Sequence, residues 1–278
     1  KLDKDVIAAA HKLQVIARAG IGVDNVDIPA ATAKGVVVMN TPFGNSITTA
    51  EHAIAMMFAL ARQLPAADAS TQKGLWEKNR FMGVELYGKT LGLIGAGNIG
   101  GIVADRALGL KMKVVAYDPF LSPERAIEMG VEKVELEDLL ARADVITLHT
   151  PLTDKTRNIL SAENLAKTKK GVRIVNCARG GLVDEAALRE ALESGQVGGA
   201  GLDVFDPEPL PADHPLLKAS NLVATPHIGG STEEAQEIVG VRIVEQVVQY
   251  LTQGVAINAV NMPALSPEQY RALGPYIS

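Results

Sequence analysis

The chain has 278 residues, 47% apolar and 21% charged, with 4% aromatic side chains and a net charge of −5. That length suits one or two globular domains whose cores rely on Val, Ile, Leu and Ala. The acidic balance speaks against nucleic acid or an anionic membrane as a partner, so an anionic substrate would need a local cluster of Arg and Lys.

In chain order, the first forty residues alternate helix and strand: a helix near 3–11, the strand LQVIARA, a helix near 28–34 and the strand GVVVMN. Two strands are too few for a stable parallel layer. Either a strand is lost before Lys1, or the C-terminal end returns to complete the unit. Pro42 makes a plausible hinge, after which 48–64 (TTAEHAIAMMFALARQL) reads as a helix. From 89 onward, the apolar runs KTLGLIG, MKVVAYD, ADVITLHT, GVRIVNC, GGAGLDVF and NLVATPH alternate with helical spacing at 99–110, 122–130, 137–142, 161–167 and 183–194. Ser122, Pro123 and Gly130 supply cap signals for one of these helices. At the far end, STEEAQEIVGVRIVEQVVQYLTQG opens with a Ser231-x-x-Glu234 capping box and stops at Gly254. Strands apolar on both faces and separated by helices predict an α/β doubly wound parallel sheet. The expected division is 1–42 for a smaller α/β domain, 43–231 for the larger domain, and 232–278 for a helix and tail returning to the first.

Only one cysteine, Cys177, is present, which excludes an intramolecular disulfide and suits a cytoplasmic setting. The longest apolar run, AIAMMFALA (53–61), is too short to span a bilayer. The chain starts at Lys1 with no signal-peptide pattern, as a trimmed segment of something longer would.

LGLIGAGNIGG carries Gly95-x-Gly97-x-x-Gly100 between a strand and a helix, where free N–H groups and the helix dipole face a pyrophosphate. Asp118 closes the following strand at the position expected of a ribose-binding carboxylate. With Pro119 and Phe120 beside it and no adjacent cation, NAD is favoured over NADP.

Three further residues fall just after strands of the larger domain: Arg179 in NCARGG, Glu208 in DVFDPEPL and His227 in TPHIGG. The carboxyl ends of parallel strands share one edge with the glycine fingerprint, and ligands bind beside it. Taken singly, Asp203, Glu208 and His227 could be strand-end caps or surface groups. Small residues around Arg179 suggest close approach by a ligand. Together the types suit oxidation of a secondary alcohol. An imidazole takes the hydroxyl proton as hydride leaves, a carboxylate fixes the imidazole, and a guanidinium clamps a substrate carboxylate. Cys177, two residues before Arg179, reads as part of the nucleotide site more readily than as a nucleophile. His52, His149 and His214 have no acidic partner at ligand spacing, so no metal site is evident.

With ARAGIGVDNVD, NTPFGNS, LWEKNRFMGVELYGKTLGLIGAGNIG, NCARGGLVDE, GLDVF, TPHIGG and NAVNMP, the chain resembles the D-isomer-specific 2-hydroxyacid dehydrogenases over essentially all 278 residues. The resemblance implies a Rossmann-type NAD-binding domain with a smaller, discontinuous substrate domain. It also implies an enzyme of a phosphorylated 2-hydroxy acid at the entry to serine synthesis. Arg179, Glu208 and His227 match the family's catalytic trio. Gly95, Gly97, Asn98, Ile99, Gly100, Asp118, Thr150, Cys177, Ala178, Asp203, Gly229 and Gly230 match its NAD contacts. Arg18 and Asn45 match substrate contacts of the smaller domain. Lys78 and Arg80 lie in a loop that family members lend to a neighbouring subunit, and a homodimer or homotetramer is implied. Family members often carry Thr where this chain has Ile21, their first strand is absent before Lys1, and long members continue past Ser278 into regulatory domains. Rival expectations are the same chemistry on glyoxylate, hydroxypyruvate or D-lactate, or a non-catalytic NAD-sensing scaffold.

Overall fold

The computed structural model describes residues 1–263 and Gln269. The remainder of the C-terminal stretch, including most of ALSPEQY, lies outside the described residues. Two compact units divide the chain, one of residues 1–48 with 230–278 and one of residues 49–229. The helix Ser46–Arg62 runs through the first division.

In the first unit, β1 (Val15–Arg18) and β2 (Val37–Asn40) pair in parallel. Alternation along β2 sends Val36 and Val38 into a cluster with Ile7, Ile16, Val26 and Ala31. Val37 and Met39 face the other way, onto Ile243 and Ala256, where the helix Glu233–Gln253 covers the sheet. The C-terminal segment meets this unit at β2. Met39 makes an antiparallel bridge to Ala259, the Val260 N–H donates to the Val38 carbonyl at 2.8 Å, and Asn261 Oδ1 accepts from the Val38 N–H at 2.9 Å. The long helix ends on Gly254 in a left-handed conformation, as expected, but its N-cap is Thr232, whose hydroxyl accepts from the Ala235 N–H. The anticipated capping box at Ser231 therefore does not form, because the cap lies one residue on and the third helical position is Ala235 instead of Glu234.

The second unit is a seven-stranded sheet. Its strands are β3 (Thr90–Ile94), β4 (Lys113–Tyr117), β5 (Glu132–Lys133), β6 (Val145–Leu148), β7 (Val172–Asn176), β8 (Val197–Leu202) and β9 (Leu222–Ala224). They lie in the order β5-β4-β3-β6-β7-β8-β9, every pairing parallel. Leu91 and Leu93 of β3 pack with Val103, Ala104 and Ala107 of the helix Asn98–Gly109. Ile94 packs with Leu139 and Leu140 of the helix Leu136–Arg142 on the opposite face. Gly92 admits that second helix, since a methyl there would stand 2.7 Å from Leu139. Helices on both faces explain why the strands read as continuous apolar runs. Ser122 and Gly130 cap the helix Pro123–Met129 as their types predict. Besides two short 3-10 turns, Lys78–Arg80 and Pro215–Lys218, the sequence reading missed β5 and the helix Leu64–Gln72, which follows its predecessor after the single left-handed residue Gln63.

Candidate active site

Because all strands of the second unit are parallel, their carboxyl ends gather the candidate residues on one edge. Gly95 follows β3, Asp118 follows β4, Thr150 follows β6, Cys177 and Arg179 follow β7, Asp203 and Glu208 follow β8, and His227 follows β9.

The glycines of the fingerprint have separate jobs. Gly95 has φ +93°, and a methyl there would stand 2.5 Å from the His149 carbonyl and 3.0 Å from the Thr150 nitrogen. One on Gly100 would collide with the Gly95 carbonyl. Gly97, by contrast, faces open space, with no protein atom within 4 Å of such a methyl. It is the N-cap of the helix that starts at Asn98 and Ile99, with no side-chain cap, so the first N–H groups and the positive end of the dipole face that open side. Asp118 ties the loop down, its Oδ2 accepting from the Ala96 N–H and its Oδ1 from the Phe120 N–H, both at 2.8 Å. These features fit a dinucleotide: close backbone approach for the pyrophosphate and a fixed carboxylate for the ribose.

His227 Nδ1 lies 2.7 Å from Glu208 Oε2. An ionised carboxylate only accepts, so Nδ1 carries the proton and Nε2 keeps its lone pair. The other oxygen, Glu208 Oε1, accepts from the Phe205 N–H at 3.0 Å. The imidazole is half exposed, at 52%. His227 holds φ +55°, a left-handed backbone that is costly for a side-chain-bearing residue, by about 1–2 kcal/mol. The neighbouring peptides explain how it is held. Asp203, fully buried, accepts from the Ile228 N–H at 2.8 Å, the Gly229 N–H at 2.7 Å and the Thr225 hydroxyl at 2.6 Å. Burial pushes its carboxyl up, but hydrogen bonds from His52, Thr225 and these two peptides outweigh that and hold it below the ordinary carboxylate range. Asp203 thus anchors the turn that presents His227.

Arg179 is half-buried and donates from Nη1 to the Ala178 carbonyl at 2.6 Å. Asn176, which the sequence reading did not single out, shapes this turn: its amide donates to the Arg179 carbonyl and its carbonyl accepts from the Ala178 N–H. The glycines after Arg179 correct an expectation. Gly180 is small because the Phe205 carbonyl presses against it, and Gly181 holds φ +80° between Arg157 and Asp206. Backbone of Phe205 and Asp206 fills the space at Gly180, and side chains of Arg157, Asp206 and Leu152 border Gly181. Burial, and then the charge of Asp203, push the Cys177 thiol far up, which keeps it protonated and inert.

The histidines also need correcting. His52 Nε2 lies 3.4 Å from Asp203 Oδ1, and His214 Nε2 lies 3.3 Å from Glu185 Oε2. Both have acidic partners, brought from distant segments by the fold and so invisible as spacing. Among the described residues no group of three or more His, Cys, Asp or Glu could hold a metal ion, and no helix is long and apolar enough to cross a membrane.

The remaining candidates lie apart from the sheet edge or in the first unit. Arg80 is engaged by Glu77 at 2.8 Å and stacks over Phe81, whereas Lys78 is exposed on the same short helical turn. In the first unit, the Arg18 guanidinium folds back to the Ala19 carbonyl at the end of β1, and Asn45 abuts Gly230, where a methyl would stand 2.5 Å from its amide.

Residues 54–229 match the family model described as D-isomer specific 2-hydroxyacid dehydrogenase, NAD binding domain. The chain belongs to that family, and its second unit is the family's NAD-binding domain. Among curated proteins it is similar to the D-3-phosphoglycerate dehydrogenase of Archaeoglobus fulgidus, 51% identical over 279 residues covering 100% of this chain and 53% of the relative. It is similar as well to the protein of the same name from Bacillus subtilis, 48% identical over 276 residues covering 99% and 52%. The chain spans about half the length of the curated relatives it matches. Among solved structures, a glyoxylate reductase from Paecilomyes thermophila superimposes with a TM-score of 0.86 at 36% identity, covering 93% of this chain and 79% of that one. A D-lactate dehydrogenase from Aquifex aeolicus, complexed with NAD and lactic acid, gives 0.84 at 30%, covering 95% and 85%.

Proposed function

We propose that this protein oxidises D-3-phosphoglycerate to 3-phosphohydroxypyruvate with NAD, the entry reaction of serine synthesis. One observation carries the chemistry: the 2.7 Å contact between His227 Nδ1 and Glu208, on the same sheet edge as Arg179 and the glycine cradle. Identity near 50% to D-3-phosphoglycerate dehydrogenases along the whole chain supports the choice of substrate.

His227 Nε2 takes the proton of the substrate hydroxyl, and Glu208 stabilises the imidazolium so formed while fixing its tautomer. Arg179 clamps the substrate carboxylate bidentately and polarises the developing carbonyl. Bound NAD supplies the acceptor for the hydride leaving the substrate carbon. In this reading Gly95, Gly97, Asn98, Ile99 and Gly100 hold the pyrophosphate, and Asp118 accepts from the ribose hydroxyls and repels a 2′-phosphate. Thr150, Cys177, Ala178, Asp203, Gly229 and Gly230 complete the cofactor contacts, and Arg18 and Asn45 are further substrate ligands. The location is the cytoplasm. The protein is at least a dimer. Phe58, Leu64, Trp76, Met82 and Tyr87 leave apolar surface exposed on the second unit, and a cavity of about 690 Å³ bordered by Phe58, Met82 and Tyr87 holds none of the catalytic candidates.

Steady-state kinetics with D-3-phosphoglycerate, D-glycerate and D-lactate, each with NAD and NADP, test this function. The expected result is highest kcat/KM for D-3-phosphoglycerate with NAD. The substrate brings about three negative charges, so a cation beyond Arg179 is needed for its phosphate. Lys78→Ala combined with Arg80→Ala raises KM for D-3-phosphoglycerate by about an order of magnitude and leaves D-glycerate nearly unchanged. With Arg80 already paired to Glu77, most of the effect resides in Lys78. Equal losses on both substrates would refer the effect to folding or assembly. A preference for D-lactate or D-glycerate would overturn the choice of substrate.

A further inference from the structure

Glu185 opens the helix Glu185–Glu193, yet it does not cap it: Asp184 does, accepting from the Ala187 N–H at 3.0 Å. The Glu185 side chain instead turns inward and is only 14% exposed. Its Oε1 accepts from the Asp206 N–H at 2.9 Å. Its Oε2, buried and without a hydrogen bond, faces His214 Nε2 at 3.3 Å. His214 Nδ1 accepts from the Leu216 N–H, so the imidazole proton sits on Nε2, the nitrogen beside the carboxylate. Burial pushes the Glu185 carboxyl up, the Asp206 N–H and His214 pull it down, and the charges of Asp206 and Asp184 push it up again. A buried carboxylate in that balance is expensive to keep, and the cap it might have served is already made.

What it holds is the peptide next to the one that aims Glu208. The Phe205 N–H donates to Glu208 Oε1, and the following N–H, of Asp206, is the one Glu185 grips. The Asp206 side chain lies 3.4 Å from Arg157, and the Phe205 carbonyl is wedged against Gly180. We propose that Glu185, held by His214, is a positioning residue that fixes the Phe205–Glu208 turn and so aims the Glu208 carboxylate at His227. This rests on the reading of His227 and Glu208 as the acid–base pair.

Three variants of the full chain test it, with two readouts: kcat and KM for D-3-phosphoglycerate oxidation, and the downfield proton NMR signal of His227 Nδ1–H bonded to Glu208. Glu185→Gln keeps a carbonyl oxygen for the Asp206 N–H and should retain kcat within about threefold and keep the signal. Glu185→Leu loses that acceptor. It should lower kcat by about tenfold to a hundredfold, leave KM for NAD within about twofold, and broaden or abolish the signal. In a Glu208→Gln background, Glu185→Leu should cost nothing further, since it acts through Glu208. If Glu185→Leu does not fold, His214→Leu replaces it, with a smaller kcat loss and a broadened signal expected. A full additive loss in the Glu208→Gln background, or an unchanged signal in the folded Glu185→Leu or His214→Leu protein, overturns the proposal. Absence of turnover in the wild type would instead refute the proposed function, and the NMR signal would still judge the positioning role.

Discussion

His227→Asn lowers the rate of alcohol oxidation at neutral pH by about two to four orders of magnitude, the contribution of a positioned general base. Glu208→Gln keeps an oxygen to accept from Nδ1 at the 2.7 Å contact but loses the charge that stabilises the imidazolium formed in the reaction, so kcat falls by about a hundredfold or more. An unchanged kcat means that Glu208 does not face the imidazole during turnover.

The second large effect is on stability in acid. His149 follows β6 beneath the fingerprint loop, its Nε2 lying 2.8 Å from the Thr147 hydroxyl and its Nδ1 buried without a partner. Burial pushes its pKa from 6.5 down to about 3. The unfolded chain therefore binds a proton as pH falls below 6.5, whereas the folded protein resists until about 3. Stability is fully present above the unfolded value and is lost as pH falls through this window, at about 1.4 kcal/mol for each unit. Asp203, whose carboxyl is held below its ordinary 3.8, contributes a loss only at more acidic pH, so the two are separable. Urea unfolding at several pH values between 4 and 8 measures the slope. His149→Leu should be less stable than the wild type at pH 8 by about 1–3 kcal/mol, since the Thr147 hydroxyl loses its partner. Its stability should then fall less steeply toward pH 4. Parallel slopes for the two proteins would mean that His149 does not carry the acid sensitivity.

The second unit was legible because continuous apolar runs and local caps such as Ser122 and Gly130 are written in adjacent residues. Its two-residue strand at Glu132 was not, being too short for any period, and the helix after Gln63 was hidden by running on from its predecessor. Arg179, Glu208 and His227 could be assembled from the sequence because a parallel sheet sends every strand end to one edge. Their supports could not. Asn176, the Asp203 anchor beneath His227, and the Glu185–His214 pair depend on meetings between segments far apart in sequence. The reason for Gly180 lay in a carbonyl from the next strand's loop.

The return of the C-terminal segment to β2 has a consequence for biosynthesis. The Val38 N–H and the Asn261 carbonyl oxygen that accepts from it are 223 positions apart, and most of the intervening chain belongs to the other unit. During vectorial synthesis at about 5–20 residues per second, β1 and β2 emerge before the segment around Asn261 and wait roughly 10–45 s for it. The contiguous unit between can fold meanwhile. Once it does, the loop to be closed is no longer a long flexible chain but a compact body with fixed ends, and the entropy of closure that grows with loop length is largely removed. Strands β1 and β2 are thus made before the contiguous unit and joined by Asn261 after it.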